Sequence, residues 1–379
     1  MVVVTEYMKT DDKLILQLED CDICFVNALR RIVLTQIKCI VFRGFPHEQN
    51  NINITKNNTK FNNEYIKHRI SCVPILYNKI DKFSVITDKY YVKVHLKNET
   101  NEKIILTTDH FKLLKKKDNT ESKLDKPLFH TLPIPIIYLY PQVSTSEPFE
   151  EFEANIDLCV GSAKEDSCWN MVSKCLYYHV ENEEKVQEQL EHIEREDLGE
   201  EDKQLKKNDF KVLDAQKKEY CYENKYHFEL ETIGVYENDK IINMACDYLI
   251  QQLKQLSKDT DTPILNTNLL MKENDSTLIF INEEITNNIK YRIQIQKDDY
   301  TIGKLIEKYA YTYFNSKNGL IEKLFKYISF KKEHPHDEHS IIYIIYESES
   351  NTDSLFKHLK MIYELIIKDF ESMKEIVDK

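Results

Sequence analysis

The sequence predicts an α+β fold built from two copies of one unit, each a small antiparallel sheet with amphipathic helices. Two observations lead to this prediction. A strand pattern, an amphipathic helix and further strand patterns occur in that order near both ends of the chain. Each of these segments is followed by a long helix whose apolar residues recur at intervals of three and four. Two such apolar faces can cover each other, so we expect the two copies to pair within the chain.

The first copy begins with residues 13–18, which alternate polar and apolar side chains as a half-buried strand does. An aspartate just after this strand can cap a helix that runs to about residue 37. The apolar face of the helix holds Phe25, Leu29, Ile32 and Val33. A strand over residues 39–42 is expected next, and the Asn-rich stretch 49–63 is predicted to be a loop.

The second copy shows the same order near the end of the sequence. Residues 291–295 have a strand pattern, Asp298 and Asp299 follow, and an amphipathic helix comes next. The apolar positions of this helix are Ile302, Leu305, Ile306 and Tyr309, which fall at helical spacing. Strand patterns over residues 324–330 and 341–346 complete the unit.

The closing helices are predicted over residues 240–256 in the first copy and 354–377 in the second. Leu359, Ile362 and Ile366 share the apolar face of the second closing helix. We expect the apolar residues of the helices to form one buried bundle. The predicted dimerisation residues are Phe25, Leu29, Ile32, Val33, Ile302, Leu305, Ile306, Tyr309, Leu359, Ile362 and Ile366.

The composition favours a protein partner over nucleic acid or a membrane. The formal net charge is −12, whereas proteins that wrap nucleic acid neutralise phosphates with Lys and Arg. Residues 181–202 hold eleven acids and two bases, which indicates a solvated helix or a disordered excursion. No segment has the uninterrupted apolar length of a transmembrane helix. The nine cysteines are scattered, so we expect reduced thiols in a cytosol-like compartment.

Two sequence blocks carry a resemblance to a known family. Residues 25–34 read Phe-Val-Asn-Ala-Leu-Arg-Arg-Ile-Val-Leu, and residues 63–75 contain a Glu, then His-Arg and an apolar-Pro turn. Further blocks at 161–170 and 228–234 follow in the same order as in that family. Together they resemble alpha-type RNA polymerase subunits, namely the third-largest eukaryotic subunit or the archaeal D subunit.

The last part of the chain resembles the smaller partner, the eleventh-type or archaeal L subunit. Residues 298–305 stand where that family has an Asp-His-Thr-Leu-Gly-Asn-Leu run, and His334 with Pro335 where it has Pro-His-Pro. Here Tyr300 replaces the His of the run and Lys304 replaces the Asn. Two subunits that are separate chains in cells are thus joined, which resembles the fused subunit of large cytoplasmic DNA viruses.

The resemblance implies two alpha-subunit-type dimerisation units, with a mainly β insert domain in the first. The implied domains are a third-subunit-type dimerisation domain at 1–78 and 221–255, an insert at 79–220, a linker at 256–277 and an eleventh-subunit-type dimerisation domain at 278–379. A tether between two pairing domains raises their effective concentration to roughly millimolar and fixes their stoichiometry.

The implied function is that of a non-catalytic assembly platform, which nucleates assembly of the two large catalytic subunits of a DNA-directed RNA polymerase. The implied partners are the second-largest (beta-like) and largest (beta-prime-like) subunits, with small zinc-binding subunits of the tenth or twelfth type as further candidates. Contact with nucleic acid would be indirect. If the source is viral, we expect the protein in the host cytoplasm, in the viral factory and in the virion; otherwise we expect it in the cytosol or nucleus.

The resemblance also implies a set of partner-binding residues: Asn27, Arg30, Arg31, Glu64, His68 and Arg69. Arg30 and Arg31 are adjacent on a helix, so they point about 100° apart and cannot share one role. Arg31 is expected to contact the second-largest subunit. Arg69 is expected to form an ion pair, with Glu64 as one candidate partner.

We expect no cofactor in this chain, since the magnesium of RNA synthesis belongs to the largest subunit of the family. Cys21 and Cys24 form a CxxC without a second pair, and Pro335 interrupts the cluster of His334, His336 and His339, so zinc is not expected. Two rival functions stay open. A metal-dependent hydrolase using these histidines would retain stoichiometric metal, and a viral structural or scaffold protein would form homo-oligomers.

Overall fold

The computed structural model of the chain describes residues 2–122, 124, 127–144, 146–215, 217–260, 264–265, 278–285, 288–296, 300–316, 319–321, 323–337, 339–348 and 351–378. The described residues divide into two compact units. Unit 1 comprises those of 1–33, 174–231 and 238–379, and unit 2 comprises those of 34–173 and 232–237. Asp298, Asp299 and the part of the predicted linker at 261–263 and 266–277 lie outside the described residues.

The elements follow one another along the chain as mixed strands and helices. The first are β1 (Val3–Lys9), β2 (Lys13–Glu19) and α1 (Ile23–Thr35). Next come β3 (Lys38–Phe42), β4 (Ile52–Asn57), α2 (Asn63–Ser71), α3 (Phe83–Lys89), β5 (Tyr90–Lys97), β6 (Ile104–Thr107), β7 (Phe111–Lys115), β8 (Pro135–Leu139) and β9 (Glu151–Ser162). They are followed by β10 (Val172–Glu181), α4 (Glu183–Arg195), α5 (Glu200–Asp209), β11 (Cys221–Thr232) and α6 (Asn238–Asp259). The last are β12 (Ile264–Leu265), β13 (Leu278–Ile285), β14 (Asn288–Gln296), α7 (Tyr300–Phe314), β15 (Phe325–Lys331), β16 (His339–Tyr346) and α8 (Thr352–Val377).

Unit 1 contains two sheets with the same strand order. One sheet has the order β1-β2-β11-β10, and the other contains β13-β14-β16-β15 with β12 added beside β13. When the four shared strands of each sheet are counted along the chain, both orders read first, second, fourth, third. In each sheet a helix follows the second strand and a long helix follows the fourth. The two predicted copies therefore have one topology, and the predicted α+β class is confirmed.

The first sheet buries one face because its strands alternate. Leu14, Leu16 and Leu18 of β2 are fully buried, while the residues between them are partly exposed. The antiparallel register sets Phe228 of β11 opposite Leu16 and Leu230 opposite Leu14, and both are buried. Helix α6 packs against β2 and covers this apolar face.

Unit 2 is organised around the long strand β9, which pairs with β3, β4 and β5. Gly161 of β9 lies under the indole of Trp169, and a Cβ at this position would come within 2.7 Å of the ring. A side chain at Gly161 would therefore displace Trp169, which is buried in this unit. The close packing explains why a glycine stands near the end of this strand.

One local prediction for the first copy is confirmed and another is wrong in the same region. The strand predicted over 39–42 is present as β3, although it pairs with β9 in unit 2 and not with the first sheet. The predicted loop 49–63 contains β4, in which Ile52 and Ile54 stand opposite Ile156 and Ala154 of β9. An Asn-rich segment forms a strand here because β9 offers it an edge and apolar partners, which local sequence does not reveal.

The boundaries of the two units also differ from the predicted domain boundaries. Residues 34–78, predicted in the first dimerisation domain, belong to unit 2. Residues 174–220, predicted in the insert, belong to unit 1, since β10 pairs with β11 in its first sheet. Helix α6 extends to Asp259, so the start of the predicted linker, 256–259, is helical.

The acidic segment 181–202 is helical, which is one of the two structures predicted for it. Helices α4 and α5 pack on each other around a small cluster formed by Ile193, Phe210 and Ala215. Ion pairs link them, with Lys206 Nζ 2.5 Å from a Glu196 carboxylate oxygen and Lys207 paired with Glu194. Basic residues of α5 thus offset part of the acidic charge of α4.

Candidate functional site

Four helices of unit 1 form what we call the paired-helix interface: α1 and α6 of the first copy with α7 and α8 of the second. Helix α8 packs against both α6 and α7. The buried side chains of α6 recur at helical spacing and include Ile241, Ala245, Leu249 and Leu253. Those of α8 do the same, namely Leu355, Leu359, Ile362, Ile366, Phe370 and Met373. Two long apolar stripes of this kind exclude water from each other, which is the main favourable term in such a contact.

An aromatic pair joins α1 of the first copy to α8 of the second. The rings of Phe25 and Phe370 are stacked, with centroids 4.4 Å apart and planes 20° apart. Both side chains are fully buried. Such pairs contribute about 0.5–1.5 kcal/mol beyond the apolar area that they bury. The two copies therefore share a continuous core at this point.

Polar side chains connect the two copies at the rim of the paired-helix interface. The Arg31 Nε donates to Thr301 Oγ1 at 2.9 Å, and Lys308 Nζ lies 3.1 Å from a carboxylate oxygen of Asp22. On α6 and α8, Lys374 pairs with Asp247, Asn243 donates to Asp378 at 2.5 Å, and Lys254 lies 3.6 Å from Glu371. These bonds set the register of the helices more than they add stability, since exposed ion pairs contribute about 0–1 kcal/mol each.

A buried hydrogen bond ties α7 to α8 within the second copy. The Tyr309 hydroxyl donates to Asp369 Oδ2 at 2.8 Å, and both residues are buried. Burial raises the pKa of Tyr309 above its ordinary value, and the nearby Asp369 carboxylate raises it further. The phenol therefore stays protonated and acts as a donor, which keeps the buried carboxylate hydrogen-bonded.

All the predicted dimerisation residues are buried. They are Phe25, Leu29, Ile32 and Val33 on α1, Ile302, Leu305, Ile306 and Tyr309 on α7, and Leu359, Ile362 and Ile366 on α8. Their individual contributions to the pairing stay a prediction. Sequence reasoning did not assign roles to Thr301 or Lys308, and it considered Asp22 only as a candidate helix cap, although these residues bond across the two copies. Single polar residues of this kind carry no periodic signal, so pattern analysis has no means of finding them.

The two adjacent arginines of α1 have different surroundings. Arg31 is engaged by Thr301, whereas both Nε and Nη2 of Arg30 donate to Asn27 Oδ1, at 3.2 and 3.0 Å. Arg30 is half-buried near Cys175 and Tyr177 of β10. It makes no ion pair with any carboxylate among the residues that the structure describes. Its guanidinium is thus held in place by an uncharged side chain.

The remaining predicted partner-binding residues lie on α2 in unit 2. Asn62 caps this helix by accepting from the Tyr65 amide, and Glu64 and His68 are exposed. Arg69 Nη2 donates to the backbone carbonyl of Pro135 at 2.6 Å, so the suggested pairing of Arg69 with Glu64 is wrong. Residues five apart on a helix point about 140° away from each other, which keeps these two side chains on different faces.

The candidate metal ligands do not come together in the described part of the chain. No three His, Cys, Asp or Glu side chains are grouped there so as to hold a metal ion. Burial raises the pKa of both Cys21 and Cys24 to about 12, and Asp22 raises it further, so both thiols are protonated at neutral pH. The His334 and His336 rings stack on each other in an exposed turn, and the neighbouring Glu338 lies outside the described residues. The absence of zinc from this chain stays a prediction.

Comparison with known proteins gives one family and several relatives. A family model described as the RNA polymerase Rpb3/Rpb11 dimerisation domain matches residues 15–253. The chain is 25% identical over 282 residues to the DNA-directed RNA polymerase subunit Rpo3 of Methanosphaera stadtmanae, covering 64% of this chain and 93% of that subunit. It is also 25% identical over 176 residues to the Rpo3 subunit of Methanobrevibacter smithii, covering 45% of this chain and 55% of that subunit.

A third similarity is to a protein of another description. The conjugation stage-specific protein of Tetrahymena thermophila is 27% identical over 121 residues, covering 29% of this chain and 36% of that protein. The chain thus spans about a third of the Tetrahymena protein and about half of the Methanobrevibacter subunit. No described helix is long and apolar enough to span a membrane.

Proposed function

Because this chain belongs to the RNA polymerase Rpb3/Rpb11 dimerisation-domain family, we propose that it is the assembly-platform subunit of a multisubunit DNA-directed RNA polymerase. In this proposal both halves of the platform lie in one polypeptide, and they nucleate assembly of the two large catalytic subunits. The chain itself is non-catalytic, and the magnesium of RNA synthesis is bound by the largest subunit. The Rpo3 subunits to which it is similar support this assignment.

One observation carries the proposal that both halves are present. The second copy, outside the matched residues 15–253, has the same strand order and the same helix positions as the first copy. The long helices that close the two copies pack against each other in unit 1. A second copy that supplies its own partner surface is what a fused third-type and eleventh-type pair requires.

Within this proposal α1 presents the contact to the second-largest, beta-like subunit. The sequence pointed to Arg31, but its Nε bonds Thr301 of the second copy, so we assign the main contact to Arg30. An arginine without a described counter-charge, held by Asn27, is preorganised to receive a carboxylate. Asn27 then acts by positioning Arg30. Glu64, His68 and Arg69 on α2 are assigned to a further large-subunit contact.

In this proposal the polymerase to which the chain belongs is viral, and this determines where the protein is found. The Lys, Asn and Ile bias of the sequence and the joining of two copies support a large cytoplasmic DNA virus. The protein would then act in the host cytoplasm, in the viral factory, and be packaged in the virion. The beta-prime-like subunit and small zinc-binding subunits of the tenth or twelfth type complete the set of proposed partners.

The test is affinity purification of the tagged chain from its natural source, followed by mass spectrometry of the proteins that accompany it. We expect both large polymerase subunits to be recovered with the chain. Homo-oligomers of the chain alone would support a scaffold protein instead, and a stoichiometric transition metal would support the hydrolase alternative.

Substitution of Arg30 tests the assigned contact. Arg30→Glu is expected to lower recovery of the beta-like subunit at least tenfold, because it places a carboxylate opposite a carboxylate. Arg31→Glu is expected to have a smaller effect on recovery, since part of this side chain serves the contact with Thr301. Arg195→Glu is a matched control, because Arg195 is exposed on α4 and pairs only weakly with Glu191. Full recovery of the beta-like subunit by a folded Arg30→Glu chain would contradict the assignment.

A further inference from the structure

Two cysteines that are far apart in the sequence are neighbours in unit 2. Cys72 is exposed at the C-terminal cap of α2, and Cys168 lies in a short 3-10 helix formed by Ser167–Trp169. The Cys168 thiol donates to the carbonyl oxygen of Ser71 at 3.7 Å, which places its sulfur beside the backbone that leads into Cys72. The fold therefore creates a pair of thiols at which one member is open to solvent.

Both cysteines sit on backbone that is held in place. The Cys72 amide donates to the carbonyl oxygen of His68 at 3.2 Å, which continues the hydrogen bonding of α2. The Cys168 amide donates to Asp166 Oδ1 at 3.0 Å, and the next residue, Trp169, is buried with the Arg43 guanidinium 4.6 Å above its ring. Both cysteines thus belong to segments whose backbone is fixed by hydrogen bonds.

We propose that Cys72 and Cys168 are an oxidisable pair that a peroxide converts into an intramolecular disulfide. In the first step the Cys72 thiolate attacks a peroxide oxygen, forming a sulfenic acid and releasing the other oxygen as water. In the second step the Cys168 sulfur, as it loses its proton, attacks the Cys72 sulfur and displaces hydroxide, which leaves as water. Two electrons pass from the thiols to the peroxide, and a dithiol reductant reverses the change.

The surroundings of the two thiols indicate which of them reacts first with the peroxide. Cys72 is the exposed member, so it is the sulfur that a dissolved oxidant reaches first. Burial raises the pKa of the Cys168 thiol, and the hydrogen bond to Asp166 raises it further. Cys168 is therefore protonated and less reactive until its neighbour has been oxidised. This inference rests on unit 2 alone and does not depend on the proposed role in a polymerase.

The disulfide would tie the end of α2 to the segment that precedes β10. Helix α2 also carries His68 and Arg69, one turn before Cys72. A crosslink between residues so distant in the sequence removes conformational freedom mainly from the unfolded chain, so it stabilises the folded state. Oxidation is thus expected to restrict the opening of α2.

The test is peptide mapping of the full chain without reductant, after brief treatment with hydrogen peroxide and blocking of free thiols by N-ethylmaleimide. We expect a peptide pair joined through Cys72 and Cys168 as the main crosslinked product. Dithiothreitol should remove this product and restore two thiols that react with N-ethylmaleimide. No crosslink, a crosslink between other cysteines, or Cys72 found only as sulfinic or sulfonic acid would overturn the proposal.

Serine variants separate the pair from the other thiols. Cys72→Ser and Cys168→Ser should each abolish the crosslinked product, while Cys159→Ser, which changes a thiol in β9 of the same unit, should leave it unchanged. Hydrogen exchange of the wild-type chain gives a second measurement that needs no substitution. Amides in α2 should exchange several-fold more slowly after oxidation, and unchanged exchange in a crosslinked chain would overturn the expected restriction of α2.

Discussion

The two copies in unit 1 share a strand order but differ in the segments that connect their helices and strands. In the first copy, most of unit 2 lies between α1 and β10, and α4 and α5 lie between β10 and β11. In the second copy, α7 leads to β15 through residues 315–324 and β15 leads to β16 through 332–338. The sheets and the paired helices are thus the common part of the two copies. The insertions occur in connections, where added chain disturbs the core least.

The copies also differ in how the cations of their first helices are neutralised. On α7, Lys304 pairs with Glu307 at 2.5 Å and Lys308 pairs with Asp22 of the first copy. On α1, the guanidinium of Arg30 donates two hydrogen bonds to the uncharged Asn27, and it forms no ion pair with a described residue. The proposed partner contact of Arg30 rests on this difference.

Loss of the aromatic contact between the copies is the strongest expected perturbation. Phe370→Ala should lower the free energy of unfolding by about 3–5 kcal/mol, because it removes a fully buried ring and leaves a cavity. Urea unfolding followed by circular dichroism measures this change. Tyr311→Ala is the matched control, since this aromatic residue of α7 is 56% exposed and should change the value by less than about 0.5 kcal/mol.

A double-mutant cycle tests whether the loss belongs to the contact between the copies. Phe25→Ala and Phe370→Ala should couple by about 0.5–1.5 kcal/mol, because each removes the same stacked pair. Strict additivity of the two losses would show that each ring stabilises only its own copy.

The buried carboxylate of Glu229 in the first sheet should make a smaller contribution to the free energy of unfolding, and this contribution should depend on pH. Glu229 is buried between Lys13 and Lys174, with distances of 2.5 and 2.6 Å. Burial opposes ionisation of this carboxyl, but hydrogen bonds from the two lysines outweigh it and lower the pKa. The second sheet buries the neutral residues Gln294 and Ser340 instead. The pH response of a carboxyl buried in a sheet should therefore come from the first copy.

Glu229→Gln is expected to cost about 1–2 kcal/mol of unfolding free energy at pH 7. A carboxyl with a lowered pKa in the folded state stabilises that state above the unfolded pKa of about 4.3. The stabilisation is lost as the pH falls through the lowered folded value. The difference between wild type and variant should therefore shrink in acid, and a difference that stays constant down to pH 2 would contradict the ion-pair explanation.

Cutting the chain between the copies should have the smallest effect of all. Thr260 is buried just after α6, so a protease site should be inserted in the predicted linker beyond this residue. After cleavage we expect the fragments to co-elute one to one on size exclusion, because the tether supplies concentration and not contact energy. Separation into two well-behaved monomers would disprove the pairing. The smaller fragment made alone should aggregate or self-pair, since the apolar face of α8 would be uncovered.

Periodic elements of this chain could be predicted from the sequence with good accuracy. The helix predicted over 240–256 is α6, which begins at Asn238, and the helix predicted over 354–377 is α8, which begins at Thr352. The predicted dimerisation residues are all buried. The prediction failed where an element depends on a distant partner, as for β4, which was predicted as a loop and pairs with β9. The strand β3 was predicted, but its pairing with β9 was not.

For the candidate site too, the local motif could be predicted and the contacts with distant residues could not. The motif at residues 25–34 located Asn27, Arg30 and Arg31 on one helix, and the side-chain types indicated an interface. The sequence separated the two arginines by their directions on the helix, but it did not show which residue of the chain each of them bonds. Asn27 lies one turn away on the same helix, whereas Thr301 comes from the other copy.

The sequence by itself determined the repeated unit, its apolar faces and the family. These properties are local, since the spacing of apolar residues sets which face of a helix or strand is buried. The tertiary structure decided which strands pair, where unit 2 begins and ends, how Arg30 differs from Arg31, and that Cys168 lies at the end of α2 beside Cys72. The physical reason is that these contacts join residues distant in the chain, and their energy depends on geometry that no short stretch of sequence encodes.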